Sequence, residues 1–336
     1  MIYFLLSFLM CSLFGSEQST TFTLRESGNF SFESLPNTDE VKAMAFIAND
    51  SQLMIAHRDK LTIFNREKNR NKYYLLPFEC RYADLDTKEN KLAALDYKAK
   101  GNDLYNRDLC IYDPVCQKII FSYNTQGTSH SWQPVSWHPA GTMVVFSNVV
   151  DGRHCPHVID LIGGQVIRKF DNPDTDLAHC KFSPDGNYLA GATIFDKSVI
   201  IWNMATGAIE KKITFADQTY DIYWSPDQKW LLVSKTFGAV AIEISDGAVY
   251  EKFSKTCINN NHGVFVDNAR FLFSETSNML ELFNADTGKK RDIWRGKDNE
   301  TIYKLALSEN SNTLAVALYN QLAKSADIIK LFDVNK

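Results

Sequence analysis

The sequence has 336 residues, of which 45% are hydrophobic and 23% charged, so the chain can bury a sizeable core. Its net charge of −4 argues against a nucleic-acid-binding protein that relies on a strongly basic face, and we expect no nucleic acid among its partners. The 22 phenylalanines and 14 tyrosines favour β-sheet.

The N-terminal segment is apolar but short. Its first residues, MIYFLLSFLMCSLF, carry no charged side chain, and they number fewer than the ~20 that a membrane-spanning helix needs. Gly15 and Ser16 follow, and then the polar stretch EQSTT. This order predicts a signal peptide over residues 1–16 and an exported protein, periplasmic or secreted. The alternative is an uncleaved segment that anchors the protein, and we expect a membrane as a partner only in that case.

A strand candidate, TFTLRE (residues 21–26), precedes a repeat that fills the rest of the chain. Each unit starts with a short apolar strand, continues through a turn cluster and reaches a second apolar strand, as in FSPDGNYLAGAT (182–193). A large apolar residue marks the first strand of each unit, at spacings of 39, 52, 45, 42, 41 and 42 residues. These residues are Phe46, Leu85, Trp137, Phe182, Trp224, Phe265 and Leu307.

A third strand in each unit ends in an apolar residue followed by a polar one, and a fourth strand follows the next turn. The third strands end at Phe64-Asn65, Tyr112-Asp113, Ile159-Asp160, Trp202-Asn203, Ile242-Glu243, Phe283-Asn284 and Phe332-Asp333. Four short strands in about 42 residues, without helical periodicity, are typical of a propeller blade. The sequence therefore predicts an all-β, seven-bladed β-propeller of four-stranded antiparallel blades, forming one domain over residues 17–336. Six or eight blades are the alternatives if the 39- and 52-residue units are misread.

The last unit ends after its third strand and lacks a fourth. We expect the N-terminal strand to complete the seventh blade and close the ring, because an open ring would leave exposed sheet edges. The large first-strand residues Trp137, Phe182, Trp224 and Phe265 are then expected to pack between neighbouring blades.

Six cysteines follow the predicted signal peptide, with no C-x-x-C spacing among them. Cys110 and Cys116 flank a predicted hairpin turn at Asp113-Pro114. If Asp113 faces Cys116, Cys110 faces about residue 119, and the two thiols are out of register for a disulfide, which needs Cα atoms within about 7 Å. We therefore expect mostly buried, free thiols.

The repeat resembles that of the WD-repeat β-propeller superfamily over about residues 20–336. Trp202-Asn203, followed by ATG, ends the most similar copy, and the FSPDG turn and the unit WHPAGTMVVFS also resemble repeats of TolB-like propellers. No Gly-His pair precedes the repeats, and a terminal Asp is kept only at residues 113, 160 and 333. In the families that it resembles, partners dock on the face that carries the loops into the first strands and the loops between second and third strands.

Two long segments, residues 96–108 and 148–157, account for the irregular spacings, and we interpret both as loops on that face. Polar and aromatic residues that the resemblance places there, mainly on blades 2 to 4, are common anchors of protein interfaces. The predicted partner-binding residues are His130, Trp132, Arg153, His154, His157, Asp176 and His262.

Catalytic and metal-binding patterns are weak by comparison. The stretch His154-Cys155-Pro156-His157 is the best zinc candidate, but no paired C-x-x-C or H-x-x-x-H frame supports it, so we predict no metal and no other cofactor. The sequence contains no G-x-S-x-G, H-E-x-x-H or P-loop motif, and we predict no catalytic residue. The first strands supply few charges to a central channel, chiefly Asp84, Lys181 and Asp221, with Lys304 further out; His138 and His179 flank first strands.

The sequence thus predicts a non-catalytic interaction propeller, a scaffold or binding module that docks a protein or peptide through loops near blades 2 to 4. The alternative is a propeller enzyme or small-ligand receptor that uses the mouth of the central channel.

Overall fold

The computed structural model describes residues 22–31, 41–96, 107–125, 134–150, 153–170, 177–245, 249–250, 262–276, 278–320 and 327–335. Over these ranges the chain forms twenty-eight β-strands and no helix. A helix able to cross a membrane is accordingly absent from the described ranges. The predicted signal peptide lies outside them.

The strands pair as seven four-stranded antiparallel sheets, as predicted. Blade 1 contains β2 (Ala43–Ile47), β3 (Gln52–Ala56), β4 (Lys60–Asn65) and β5 (Arg70–Leu75). Blade 2 contains β6 (Cys80–Asp86), β7 (Lys91–Asp96), β8 (Arg107–Asp113) and β9 (Lys118–Thr125). Blade 3 contains β10 (Val135–Trp137), β11 (Met143–Val150), β12 (Arg153–Asp160) and β13 (Gln165–Lys169). Blade 4 contains β14 (Leu177–Phe182), β15 (Tyr188–Thr193), β16 (Ser198–Asn203) and β17 (Ile209–Thr214).

The remaining blades follow the same order. Blade 5 contains β18 (Thr219–Trp224), β19 (Trp230–Lys235), β20 (Gly238–Glu243) and β21 (Val249–Tyr250). Blade 6 contains β22 (Gly263–Phe265), β23 (Arg270–Thr276), β24 (Met279–Asn284) and β25 (Lys290–Arg295). Blade 7 contains β26 (Glu300–Leu307), β27 (Thr313–Asn320), β28 (Asp327–Asn335) and the N-terminal β1 (Thr23–Ser31).

The repeated turn between first and second strands is held by its own side chains. In blade 4, the Ser183 hydroxyl donates to Asp185 Oδ1 at 2.6 Å and accepts from the Tyr188 N–H at 2.9 Å. Gly186 takes a φ of +78°, in the left-handed region that glycine adopts without steric penalty. Ser225 repeats the arrangement in blade 5, donating to Asp227 Oδ1 at 2.7 Å. In these blades, side-chain hydrogen bonds within the turn therefore set the register in which the first and second strands pair.

The core is divided among the interfaces between blades. The buried side chain of Trp137 in blade 3 packs with residues of blade 2, and its Nε1–H donates to the Asp84 carbonyl oxygen at 3.1 Å. Trp224 of blade 5 likewise donates to the Lys181 carbonyl oxygen of blade 4 at 3.2 Å. Phe182 packs against blade 3 in the same way. The large first-strand residues thus pack between blades, as the repeat predicted.

The N-terminal strand closes the ring. β1 pairs antiparallel with β28 from Thr23 opposite Asn335 to Ser31 opposite Ile328, with a bulge between Glu26 and Gly28. The predicted closure is confirmed, and the strand extends beyond the predicted residues 21–26.

The five cysteines within the described ranges are free. Cys80, Cys110 and Cys180 are buried, and burial raises the pKa of Cys80 and Cys180 to about 12, so both stay protonated. The hairpin register differs from the predicted one by two residues at Asp113, which faces Lys118, and by about three at Cys110, which faces Ser122, because a bulge lies between Ile111 and Tyr112. Cys116 occupies the turn itself, where its side chain is exposed.

Candidate functional site

The first strand of each blade begins, and the second strand ends, at one face of the ring, which we call the upper face. In blade 4, for example, the first residue of β14, Leu177, faces the last residue of β15, Thr193. The strand ends joined by segments 97–106, 126–133 and 171–176 lie at this face. The resemblance predicted partner docking on the same face.

The segment 148–157, interpreted as a long loop, is mostly strand. β11 and β12 remain paired until Val150 faces Arg153, so the hairpin extends almost to its tip. The expectation of a loop was wrong, because the paired residues of β11 and β12 take up most of the added length. The other long segment lies outside the described residues over 97–106.

The structure places the predicted partner-binding residues in different surroundings. His154 and His157 are 1% exposed inside blade 3, where His154 Nδ1 lies 3.2 Å from Ser147 Oγ and His157 Nδ1 lies 3.1 Å from the Cys155 carbonyl oxygen. Burial lowers the pKa of His157, so its imidazole is neutral at pH 7. These two imidazoles serve contacts within the blade.

Of the five other predicted residues, two lie within the described ranges. His262 lies in the central channel, on blade 6. Arg153 begins β12, and His130, Trp132 and Asp176 lie outside the described residues. The partner-binding set stays a prediction.

Two exposed aromatic side chains on the upper face were missed. Phe195, between β15 and β16, is 64% exposed, and Phe237, between β19 and β20, is 47% exposed. They occupy the same connection in the adjacent blades 4 and 5. Their exposure could have been predicted, because each phenylalanine lies in a connection between second and third strands that is too short to fold back onto the core.

The first strands of all seven blades surround a central channel, which holds a cavity of about 160 Å³. Four consecutive blades, 4 to 7, present a polar residue there at the same repeat position, three residues before the large first-strand residue. We call this set the channel layer: His179, Asp221, His262 and Lys304.

β-bulges accompany the channel layer. The register shifts between Leu177 and His179 in β14, between Thr219 and Ile222 in β18, and between Ile302 and Lys304 in β26. A bulge re-aims the side chain beside it and is frequent next to functional sites. The same local distortion thus accompanies three of the four polar residues, His179, Asp221 and Lys304, where they line the channel.

Asp221 is the centre of the channel layer. Its carboxylate lies 3.9 Å from His179 Nδ1 and 3.8 Å from His262 Nδ1, and it accepts a hydrogen bond from the Tyr223 hydroxyl at 3.3 Å. Burial alone would raise the pKa of Asp221, but His179, His262, Lys304 and Tyr223 together lower it below its ordinary value. The carboxylate is therefore ionised at neutral pH.

His179 is neutral. Burial lowers its pKa to about 4, outweighing the neighbouring Asp221 carboxylate. The Ile222 N–H donates to His179 Nδ1 at 3.4 Å, so that nitrogen acts as an acceptor. An imidazole of this pKa is a weak base at pH 7, and burial raises the pKa of the Tyr223 hydroxyl well above its ordinary value. The layer is thus better suited to binding than to proton transfer.

Asp84, on the first strand of blade 2, connects three blades. Its Oδ2 accepts from Ser136 Oγ at 3.1 Å and from the Trp137 N–H at 2.8 Å, while Lys181 Nζ donates to Oδ1 at 2.7 Å. Asp84 and Lys181 neutralise each other. They form a strut across blades 2, 3 and 4.

Lys304 differs from Lys181 in this respect. It forms no hydrogen bond or ion pair with the residues that the structure describes, although its charge lowers the pKa of both His179 and Asp221. No group of three or more His, Cys, Asp or Glu side chains in the described ranges has the geometry to hold a metal ion. The channel layer therefore combines a single cation, one carboxylate and two imidazoles.

Comparison with known proteins gives one family match. The model of the WD domain, G-beta repeat, matches residues 164–203. The match covers β13 and the first three strands of blade 4, and it ends at the Trp202-Asn203 pair. No curated protein matches the chain.

Proposed function

We propose that this chain, which belongs to the WD-repeat β-propeller superfamily, is a non-catalytic scaffold that docks a protein or peptide partner on its upper face. Propellers of this superfamily commonly serve as protein-interaction scaffolds. The proposed surface covers the upper side of blades 2 to 4 and the adjoining edge of blade 5.

One observation carries the proposal: Phe195 and Phe237 leave two aromatic rings exposed on adjacent blades of that face. Fully burying a phenylalanine side chain contributes about 1.5–3 kcal/mol, so a solvent-exposed pair is a source of binding energy for a partner that covers it. Aromatic residues are enriched in the cores of protein interfaces.

The side-chain chemistry of the described ranges supports a non-catalytic role. Ser147 Oγ lies 3.2 Å from His154 Nδ1, but both residues are buried inside blade 3 and closed to a substrate. The buried thiols of Cys80 and Cys180 have a pKa of about 12 and are inert as nucleophiles at pH 7. His179, with its pKa of about 4, is a poor general base.

Export through residues 1–16 belongs to the same proposal. Mass spectrometry of the mature N-terminus tests it: a chain that starts after residue 16 supports export with cleavage. A chain that retains residue 1 and partitions with membranes favours the anchor.

The docking proposal is tested with the double variant Phe195→Ser/Phe237→Ser. Its matched control is Ile162→Ser, because Ile162 is 82% exposed at the turn between β12 and β13, on the opposite face. Partners are cross-linked in extracts of the producing organism and quantified by mass spectrometry. We expect the double variant to lose a partner at least tenfold and the control to retain it.

A third variant, Trp132→Ala/Arg153→Ala, tests whether the residues predicted from the sequence belong to the same surface. Loss of the same partner would join them to Phe195 and Phe237. Equal recovery of every partner by wild type, double variant and control would show that the upper face is not the docking surface.

A further inference from the structure

The central channel contains two side chains of opposite charge that do not pair with each other. Asp221 of blade 5 and Lys304 of blade 7 line the same cavity, on either side of blade 6. The lysine is close enough to lower the pKa of the carboxylate, yet the two form no ion pair. By contrast, Lys181 and Asp84 pair at 2.7 Å, and Lys42 has an interaction of its own. Among the described residues that line the cavity, Asp221 and Lys304 thus remain as the charges available to a ligand.

The carboxylate of Asp221 has unused capacity to accept hydrogen bonds. An ionised carboxylate offers about four acceptor positions. From the described residues Asp221 accepts a single side-chain hydrogen bond, which the Tyr223 hydroxyl donates to Oδ2 at 3.3 Å. The nearest imidazole nitrogens, of His179 and His262, lie at 3.9 and 3.8 Å, beyond hydrogen-bonding distance. Asp221 Oδ1 is therefore open to a donor inside the cavity.

The ammonium of Lys304 supplies the complementary end. It carries three donors and no acceptor, and it donates to no other residue that the structure describes. A charge that is withdrawn into a narrow channel needs a partner, whether water or a ligand. A ligand that satisfies both ends has an anionic group for Lys304 and a cationic donor for Asp221. Such a ligand carries no net charge, so it also leaves the balance of Asp84 and Lys181 undisturbed.

The size of the cavity limits that ligand. About 160 Å³ corresponds to roughly five water molecules at ~30 Å³ each, or a molecule of about five to eight non-hydrogen atoms. Part of the wall is apolar, through Met44, Val135 and Leu305, and accommodates a short side chain. A free amino acid as small as alanine combines both charged groups within that volume. A peptide segment is too large for it.

We propose that the channel layer binds a small zwitterionic amino acid, with its carboxylate on Lys304 Nζ and its ammonium donating to Asp221 Oδ1. The site lies inside the channel, whereas the proposed docking surface is marked by Phe195 and Phe237 on the upper face. Binding of the amino acid therefore does not depend on a protein partner.

Four probes separate the two ends of the ligand. L-alanine carries both charges, propionate only the carboxylate and ethylamine only the ammonium, while β-alanine holds its two charges one carbon further apart. Each is added to the full chain and followed by ligand-observed NMR and thermal shift. We expect the better of the two amino acids to bind with a dissociation constant on the order of 0.1–1 mM, and propionate and ethylamine to bind at least about tenfold more weakly.

Two variants test each end in turn. Lys304→Met should weaken the amino acid about tenfold to a hundredfold, but it should bind ethylamine at least as well as the wild type, because a repelling cation is gone. Asp221→Asn should also weaken the amino acid, but it should bind propionate at least as well. Misfolding would not produce these opposite preferences. Phe195→Ser, on the upper face, is the control and should bind the amino acid as the wild type does.

Two results would overturn the proposal. One is that neither L-alanine nor β-alanine binds at about 20 mM to a chain whose melting curve shows it folded, since the channel would then hold water alone. The other is amino-acid binding that Lys304→Met and Asp221→Asn both leave unchanged. Loss of partner docking with intact amino-acid binding would count against the proposed scaffold function alone.

Discussion

At the residue scale, His179 makes the stability of the ring sensitive to acid. It faces Asp221 at 3.9 Å, with Lys181, Lys304 and Asp84 also close enough to influence it, and burial lowers its pKa to about 4. In the unfolded chain the same imidazole has a pKa of about 6.5. Between these two values the unfolded chain binds a proton that the folded chain does not, so stability falls as the pH falls through this window.

The variant His179→Asn tests this pH dependence of stability. Asparagine keeps an acceptor for the Ile222 N–H but cannot titrate, so the variant should lose less stability than the wild type between pH 7 and pH 4. A difference of up to about 3 kcal/mol is expected from the shift in pKa. Urea unfolding at pH 7, 6, 5 and 4 measures it.

His138→Asn is the matched control, because burial also lowers the pKa of His138, but this imidazole lies outside the channel. Its effect on the pH dependence should be smaller than that of His179→Asn. Parallel stability curves for wild type and His179→Asn would mean that His179 does not titrate in this window.

At the scale of strands, the inner strands leave no room for extra side-chain volume. A Cβ atom on Gly191 in β15 would lie 2.7 Å from Leu177 Cδ2 and 2.8 Å from Trp202 Cζ3, both buried side chains. Such approaches require the neighbours to move. The close packing of β15 between its neighbouring strands therefore depends on the missing side chain at this position.

Gly191→Ala should destabilise the protein by about 1–3 kcal/mol, as is usual when a methyl group is forced into a packed core. Gly28→Ala in β1 is the control, because a Cβ there meets no atom within 4 Å, and its effect should stay within about 0.5 kcal/mol. Urea denaturation of both variants compares them. Equal midpoints would show that blade 4 relaxes around the added methyl group.

The strands were predictable because each blade repeats its signals. The Ser-Pro-Asp-Gly turn at residues 183–186 marks a hairpin through chemistry that is visible in the sequence. The bulges have no such signature. His179, Asp221 and Lys304 could therefore be noted singly, but their assembly into one layer depends on register shifts that only the folded sheet displays.

The two histidines of blade 3 were predicted on the surface, but the structure buries them. His154 and His157 are polar residues in a segment whose length suggested a loop, and they were assigned to a surface. Extended pairing of β11 with β12 buries both. The spacing between repeat units shows that blade 3 has extra residues. It does not show whether those residues lengthen the strands or the loop between them.

At the scale of the whole molecule, one strand holds the two ends of the chain together. Phe22, which immediately precedes β1 and is 1% exposed, belongs to a core that also contains Phe332 of β28 and Leu280 of blade 6. Because each blade covers its neighbours, detaching β1 would expose β28 as an edge and weaken the interface between blades 6 and 7.

Phe22→Ala should therefore do more than remove a side chain. The loss of a buried phenylalanine destabilises by about 3–5 kcal/mol, and we expect amide exchange to accelerate first in β1 and β28, before the strands of blades 3 and 4. Ser27→Ala, at an exposed position of β1, is the control and should leave exchange unchanged. Hydrogen exchange read by mass spectrometry distinguishes the cases. Uniform acceleration in all blades would mean that the ring unfolds as one unit, whereas protection of β28 equal to that in the wild type would mean that β1 does not close it.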